Sequence, residues 1–518
     1  MRRPTDTPSA PTAIRAAALG ALVFSAGLFA VALHRAGHTQ GDDFALYLRQ
    51  ARSLFDGDTT TVVADNRFSV LNSDSGFSPL AYPWGWPLLL APFVHIWGFD
   101  YDRLKLVEVA AFCIWLILLH GIVRRRLGPI VAFAFVAVFA TAPEFLEHTD
   151  QLLTEFPHLA AVAAVIWWYD RIRANHTLLT APLGNLVALG LLITAAFNIR
   201  RESVVLLAVI AVMQLIDVWR ATPVHRPRAL VDTIRAWWRP IITPFVTFAV
   251  AAITFQLLLP TDVLPDNGNS RSFLDDRWGE YPAILADQLG LGAHPAIGVA
   301  VLLVATVGAV IGVRRRPLLD TPLLLLGLFI AVVLGSHLRK VDRYWFQVTP
   351  WVLYFVTVAL VAAVQAVVRR RASTTEGRSE RTGRTALAVA VLPLMALVIA
   401  HLSVLPARAT KVDDFNSAGR VQFGPAHPDV AQVFDAVSEL TPADAVIAYY
   451  RARTMTLLTD RRTIQTYDAE RIRNDTDYWV QRKNSSYWQP DLDAIEAREL
   501  GFTEVWSSGR FIIWSTGR

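Results

Sequence analysis

Apolar runs close to 20 residues long recur along most of this chain, and they restrict it to one class of fold. Wound as a helix, such a run can cross a hydrocarbon core of roughly 30 Å. Backbone groups inside a bilayer have no water to bond, so each crossing segment must satisfy itself as a helix. The runs fall at about 16–33, 104–123, 128–143, 154–169, 178–197, 203–219, 241–259, 295–313, 318–337, 344–368 and 385–405. They predict an α-helical polytopic membrane protein of about 11 spans. A chain of 518 residues that is 53% hydrophobic is too apolar to be an ordinary soluble protein. The stretch Leu80–Phe99 is apolar too, but Pro83, Pro87 and Pro92 interrupt it. That spacing predicts a re-entrant or interfacial helix pair rather than a clean span.

Charge orients the bundle. Arg124-Arg125-Arg126, Arg314-Arg315-Arg316, Arg369-Arg370-Arg371 and the basic segment Arg220–Arg239 all fall on one side of this span count. Loops rich in Lys and Arg face the cytoplasm. The segments His34–Arg103 and Pro260–His294 are then outside, as is the C-terminal tail, and the N-terminus is inside. The expected location is a bacterial cytoplasmic (inner) membrane. Topology accounts for the net charge of +5, which gives no reason to expect a nucleic-acid partner. The first apolar run, about 18 residues, exceeds the roughly 7–15 of a signal-peptide core. Residues 1–35 therefore read as an uncleaved anchor. The single Cys113 allows no intrachain disulfide, so an outer domain must fold without one.

Two domains are expected. Residues 1–405 form the membrane domain, with 34–103 as its first outer loop, and residues 406–518 form a small α/β extracytoplasmic domain. Arg369–Arg384 is polar, charged and aperiodic, which predicts a loop without structure. In the tail, Val430, Val433, Phe434 and Val437 have helical spacing within Asp429–Leu440. Leu492–Leu500 also reads as a helix. Ala445–Tyr450, Thr463–Thr466 and Phe511–Trp514 read as strands. Alternating strands and helices point to an α/β layer.

The richest chemistry stands about ten residues past the first span, at Asp42-Asp43. A carboxylate at the membrane boundary can act on a lipid headgroup while the lipid tail stays in the bilayer. Helix capping explains one Asp at a helix start. Two adjacent acids exceed what a cap needs, and they repel unless a cation or a donor lies beside them. The following helix is amphipathic, with Phe44, Tyr47, Leu48, Ala51 and Leu54-Phe55 on one side.

Several segments together resemble the C-type (GT-C) membrane glycosyltransferases, above all the bacterial group akin to protein O-mannosyltransferases and the lipid A aminoarabinose transferase. Asp43-x-x-x-Tyr47-x-x-x-Ala51 followed by Leu54-Phe55-x-Gly57 looks like that family's first outer loop. Tyr82-Pro83-Trp84-Gly85-Trp86-Pro87-Leu88-Leu89 is similar to its Tyr-Pro-Pro-Gly-x-Pro-Leu-Leu segment, with Trp84 in place of the second proline. Asp150-x-x-x-Thr154-Glu155-x-Pro157 resembles the second acidic segment, and Arg343-Tyr344 with Pro350 the later Arg-Tyr segment. Leu440–Ala448 and Leu458–Arg462 resemble the family's periplasmic tail.

The resemblance implies a polyprenyl-phosphate sugar donor, a cell-envelope acceptor (glycan, lipid or protein) and an inverting transfer. It makes Asp43 the general base on the acceptor hydroxyl, with Asp42 beside it. Tyr47, Glu155 and Asp150 become substrate contacts. Arg200-Arg201-Glu202, Arg339-Lys340 and Arg343-Tyr344 place positive charge on the side otherwise poor in it. A solvated turn would explain one such cluster. Arginine also suits a phosphate through its planar donor fork, so Arg201, Arg339, Arg343 and Tyr344 are candidate donor contacts. Asp42, Asp43 or Glu155 could hold Mg²⁺ or Mn²⁺ through oxygen, but Arg can supply the same charge. His148 and His337 read as packing residues. Tyr478-Trp479 and Tyr487-Trp488 could stack on sugars, yet such pairs usually fill a small core. A polyprenyl-diphosphate-dependent glycan polymerase or ligase, and a polytopic lipid or solute transporter, are the competing functions. A transporter should show repeat symmetry and polar broken helices at mid-membrane, whereas charge here gathers at the boundary.

Overall fold

The computed structural model describes residues 10–74, 77, 79–223, 226–261, 279–335, 341–372 and 379–518. The N-terminal part is a helical bundle. α1 (Ala10–Ala32) leads into a loop region that carries α2 (Asp43–Asp56), α3 (Thr59–Asn72) and α4 (Gly85–Trp97). Next come α5 (Tyr101–Leu127), α6 (Pro129–Thr141), the short α7 (Pro143–His148), α8 (Glu155–Asn175) and α9 (Leu183–Ile199). A 3₁₀ turn, Arg201–Val204, then leads into α10 (Val205–Ala221). α11 (Pro227–Ala236), α12 (Trp238–Leu258), α13 (Tyr281–Gln288), α14 (Pro295–Arg315) and α15 (Pro317–Gly335) follow. A second 3₁₀ turn, Asp342–Gln347, precedes α16 (Thr349–Ala372) and α17 (Ser379–Ser417).

Among the described residues, eight helices are long and apolar enough to cross a membrane: those of α1, α5, α10, α12, α14, α15, α16 and α17. The other three predicted spans lie on α6, α8 and α9. α6 and α9 are shorter, at 13 and 17 residues. At 1.5 Å per residue they reach about 20 and 25 Å, less than the hydrocarbon core. α8 is long enough but carries Glu155, Asp170, Arg171 and Arg173. Side chains such as Phe24, Ile114, Leu191, Leu215, Leu257 and Leu303 are exposed on the bundle surface, as a surface meant for acyl chains requires. The chain is a multi-pass membrane protein.

Two expectations need correction. Leu80–Phe99 is not a helix pair but the single helix α4, with Pro92 inside it. It packs on α2 through Trp86, Leu90 and Val94 against Phe44, Leu48 and Ala51. Pro87 sits in its first turn, where a missing N–H costs nothing. Arg369–Arg384 is not wholly irregular either. Its flanks belong to α16 and α17, while residues 373–378 lie outside the described residues.

Two of the arginine triplets, Arg124–Arg126 and Arg314–Arg316, meet at one end. Arg126 Nη2 donates to Asp170 Oδ1 at 2.9 Å, and its Nε lies 3.5 Å from Asp320 Oδ1. Arg316 pairs with the same Asp320 at 3.0 Å, and the Tyr354 hydroxyl donates to it at 2.7 Å. Arg315 reaches Gln365 on α16 at 3.2 Å. Helix ends that sequence charge assigns to one side are thus joined there.

α17 runs unbroken through the composition change at residue 405, as far as Ser417. Beyond it lie α18 (Pro428–Leu440), β1 (Val446–Tyr449), α19 (Ala452–Thr459), β2 (Arg462–Ile464) and α20 (Ala469–Asp475), then β3 (Tyr478–Arg482), α21 (Ala494–Glu499), β4 (Thr503–Ser507) and β5 (Phe511–Ser515). The sheet order is β2-β1-β3-β5-β4. β1 is parallel to β2 and β3, and β5 is antiparallel to β3 and β4. β3 was not anticipated. It carries Tyr478-Trp479, with Trp479 in the core against Phe502 and Trp514.

This tail is locked to the first loop. α3 lies along β2, where Arg462 pairs with Asp65 at 3.3 Å. Asp74 accepts from the Tyr467 N–H, from Thr466 and from Arg471. Leu457 of α19 enters the α2–α4 core.

Candidate active site

α2 begins at the acid pair, and its predicted face is buried through Phe44, Tyr47, Leu48 and Ala51, while Phe55 is exposed. Asp42 holds the N-cap position, yet its side chain makes no capping hydrogen bond. It turns to the tail instead. The Arg453 N–H donates to Asp42 Oδ1 at 3.1 Å, and Arg451 Nη1 lies 3.4 Å from Oδ2. Asp43, one residue on, faces the bundle. The Tyr82 hydroxyl donates to its Oδ1 at 2.6 Å and Arg343 Nη2 to its Oδ2 at 3.0 Å. Arg453 Nη1 stands 4.0 Å away. The two like charges are thus divided between two sets of cations.

That division separates their acidities. Burial favours the neutral form of both. At Asp43 the Arg343 charge, the Tyr82 hydroxyl and Arg453 outweigh burial, and the pKa lies below the usual carboxylate range. At Asp42 burial outweighs Arg451 and Arg453, with the Asp43 charge adding to it, and the pKa is raised. Asp43 is therefore the member held ionised, and it remains partly open, with its side chain 33% exposed.

From Asp43 the charges continue along the helix ends. Arg343, in the 3₁₀ turn before α16, places its Nε 3.2 Å from Oε1 of Glu155, the first residue of α8. Arg200, between α9 and α10, approaches the same oxygen at 3.2 Å and pairs with Glu202 at 3.0 Å. His148 Nε2 is 3.6 Å from Glu155 Oε2. Both guanidiniums lie over the Tyr344 ring, at 5.2 and 5.6 Å from its centroid, which offsets part of their repulsion. Glu155 is only 2% exposed. The Nε of Arg343 faces the Glu155 carboxylate, whereas that of Arg200 is buried and makes no hydrogen bond among the described residues. Buried donors of this kind are costly unless something fills them.

Gly85 fixes the position of Arg200. A Cβ there would stand 2.5 Å from the Asn198 carbonyl oxygen, so only glycine lets the start of α4 meet the end of α9. Trp84, in the position where the family resemblance departs, donates its indole N–H to the Pro260 carbonyl at 2.8 Å.

Of the residues singled out by sequence, Asp43, Glu155, Arg343 and Tyr344 come together. Tyr47 packs against Tyr82 with ring centroids 4.5 Å apart and planes tilted by 43°. Arg201 does not join them. It is exposed at the start of its turn, and the adjacent Arg200 takes the buried place. Asp150 belongs to a different network, pairing with Lys105 at 2.8 Å and accepting from Gln422 of the tail at 3.1 Å. Arg339 and His337 lie outside the described residues. His148 packs its ring on Phe346 at 5.0 Å, as expected, and also faces Glu155. Tyr82, Arg200, Arg451 and Arg453 were missed.

The acids do not converge as a ligand set for Mg²⁺ or Mn²⁺. Asp42 faces the tail, and Arg343 lies between Asp43 and Glu155. No group of three or more His, Cys, Asp or Glu side chains among the described residues could hold a metal ion. The guanidinium supplies positive charge at the point the carboxylates share.

No protein-family model matches the chain, and no curated protein sequence matches it significantly. Solved structures do. ArnT from Cupriavidus metallidurans bound to undecaprenyl phosphate superimposes with a TM-score of 0.55 at 11% identity, over 96% of this chain and 97% of that one. The apo form of the same protein gives 0.52 at 13% identity, over 98% of both chains. The archaeal oligosaccharyltransferase AglB from Archaeoglobus fulgidus, in complex with an inhibitory peptide and a dolichol-phosphate, gives 0.53 at 13%, over 95% of this chain and 74% of that one. Helical bundle, loop region and C-terminal sheet together thus give this chain the GT-C-like fold of membrane glycosyltransferases.

Proposed function

We propose that this chain transfers a sugar from a polyprenyl-phosphate donor to an acceptor of the cell envelope, with Asp43 as general base. The observation that carries the reading is the convergence of the Arg343 and Arg200 guanidiniums on the buried Glu155, beside an ionised Asp43 at the helix ends. The structural neighbours support it: the ArnT structure holds undecaprenyl phosphate and the AglB structure a dolichol-phosphate. The lysine- and arginine-rich ends would face the cytoplasm, and the Asp43 end and the tail would face outward.

In this reading the donor phosphate enters between Arg343, Arg200 and Tyr344. Asp43, Glu155 and Glu202 face Arg200, Arg343 and Arg453, so the cluster is near neutral before it binds. An arriving phosphate competes with the carboxylates for Arg343. As Arg343 turns to phosphate, Asp43 loses its main charge partner and becomes a stronger base. The acceptor hydroxyl oxygen then bonds to the anomeric carbon while the carbon–oxygen bond to phosphate breaks. The hydroxyl proton passes to Asp43, and the bonding pair leaves on the phosphate, stabilised by both guanidiniums. Attack opposite the leaving group inverts the anomeric centre.

The test is transfer in proteoliposomes supplied with radiolabelled undecaprenyl-phosphate sugars and an envelope extract. Label should move to the extract with wild-type protein and not with Asp43→Asn. Label that crosses the vesicle membrane still attached to its carrier would replace this function with transport.

A further inference from the structure

Two Tyr-Trp pairs in the tail look alike in sequence and differ in the fold. Trp479, on β3, is core, at 1% exposure. Tyr487-Trp488 stands on the turn after β3, where Tyr487 is 50% exposed, and Tyr467 beside it is 49% exposed. The rings of Tyr467 and Trp488 stack at 5.3 Å with a 27° interplanar angle. Tyr487 meets Trp488 edge-on, at 6.4 Å and 87°. The three rings form a corner of nearly perpendicular aromatic planes with two of its members open to water. Trp488 takes φ 55° and Asn484 φ 54°. For a bulky residue that conformation is an outlier, kept where the surroundings demand it.

The corner adjoins the acid pair. Arg451 Nη2 donates to the Tyr487 hydroxyl at 2.9 Å, and its guanidinium lies 5.1 Å from the ring centroid. The other arm of the same guanidinium reaches Asp42. One side chain thus connects the aromatic corner to the residue next to Asp43. On the far side, Asp74 holds the Tyr467 N–H at 2.6 Å and Arg471 at 2.9 Å. Flat apolar faces are therefore rimmed by hydrogen-bonding and charged groups. A ligand with a flat C–H face and a rim of hydroxyls, which is a sugar ring, fits that combination. An acyl chain would want a continuous apolar trough without the Arg451, Asp74 and Arg471 rim. Aromatic side chains also offer large contact area at low entropic cost.

We propose that Tyr467, Tyr487 and Trp488 bind a sugar ring of a glycan acceptor, so that this chain extends or decorates a carbohydrate. The proposal rests on the glycosyl-transfer reading and adds the acceptor class to it. Donor phosphate lies on the Arg343 side of the acid pair and acceptor sugar on the Arg451 side.

The experiment is saturation-transfer NMR on the purified full-length protein in nanodiscs, with mannotriose, galactotriose, arabinotriose and a Ser/Thr-rich decapeptide as probes. Undecaprenyl phosphate affinity is measured on the same samples. At least one trisaccharide should receive saturation at its ring C–H protons. The Tyr467→Ala/Tyr487→Ala protein should bind it roughly tenfold more weakly or worse, while Tyr467→Phe/Tyr487→Phe keeps it. Both positions are half-exposed, so the core remains intact, and undecaprenyl phosphate affinity should be the same in all three proteins. The proposal is overturned if no trisaccharide is saturated, if the alanine protein binds it equally, or if only the peptide binds. Failure of undecaprenyl phosphate to bind the wild type sinks the glycosyl-transfer reading instead, and is read independently of the sugar signal.

Discussion

Arg343 donates to Asp43 at 3.0 Å from 300 positions further along the chain. That contact both holds the carboxylate ionised and keeps it occupied until something else claims the guanidinium. Asn at position 43 keeps the shape and much of the hydrogen bonding but cannot take a proton. Asp43→Asn should fold normally and lose about 10²–10⁴ in the transfer rate, the usual worth of a general base. Single-turnover transfer from labelled undecaprenyl-phosphate sugar measures it. A rate near that of the wild type would make Asp43 a structural acid.

Removing a guanidinium from the proposed phosphate position should weaken the donor. Arg343→Ala and Arg200→Ala should each cost about 1.5–3 kcal/mol, or roughly ten- to a hundredfold, in undecaprenyl phosphate affinity. Lysine should restore little, because it lacks the planar fork. Arg201→Ala should change the affinity hardly at all. Equal losses at positions 200 and 201 would point to a diffuse surface charge rather than a site.

The pH dependence follows from the depressed pKa of Asp43. A depressed carboxylate is fully ionised above its ordinary range and takes up its proton only as pH falls through the lower, folded value. As far as Asp43 is concerned, kcat/KM should stay level from pH 7 to near the ordinary value of about 3.9. Arg343→Ala removes the strongest opponent of burial, so its acid limb should move to higher pH. An unmoved limb would detach Arg343 from the base.

Arg453 joins the tail to the site. Its backbone N–H donates to Asp42 and its guanidinium stands 4.0 Å from Asp43, while the side chain donates to Asn66 at 2.8 Å and to the Pro79 carbonyl at 2.6 Å and lies over the rings of Phe77 and Tyr82. Arg453→Met keeps much of the bulk and loses the fork. The expected result is a lower kcat with undecaprenyl phosphate affinity retained, because the Tyr82–Asp43 geometry loosens while the Arg343 side is untouched. Lys should recover little of it. A parallel fall in donor affinity would indicate general misfolding instead.

At the opposite end, Arg126, Asp170 and Asp320 are all buried. Breaking a buried ion pair by removing one partner costs about 3–5 kcal/mol. Asp170→Ala should therefore lower the melting temperature in detergent markedly and leave the KM for donor unchanged. An unaltered melting curve would show that this network does not hold the helix ends together.

Much of the membrane part was legible because lipid leaves a crossing helix few choices: it must be apolar along its length. All eleven runs are helical, although α6 and α9 are too short to be recognised as spans by length alone. Asp43 could be found because two adjacent acids need a reason. Arg200 could not be told from Arg201, since neighbouring residues in a turn have no periodicity to say which one points inward. Tyr82 lay within a quoted motif but gave no chemical signal of its own. Arg453 was invisible because its partners stand at positions 42, 66 and 79, and a single sequence carries no record of such distant pairing. β3 was readable in principle: Tyr478-Trp479-Val480 has the aromatic and β-branched character of a strand.

The contact between the Arg453 N–H and Asp42, spanning 411 positions, has a consequence for biosynthesis. The acid pair emerges from the ribosome early, and its three cationic partners come late: Arg343 after most of the helices, then Arg451 and Arg453 near the end of translation. A nascent or prematurely terminated chain has Tyr82 for Asp43 but lacks the guanidiniums that divide the two carboxylates and set their acidity. If Asp43 is the general base proposed above, the site is complete only once the tail has folded back onto the first loop. On that reading, the order of synthesis would act as a check on completeness before any lipid-linked substrate is spent.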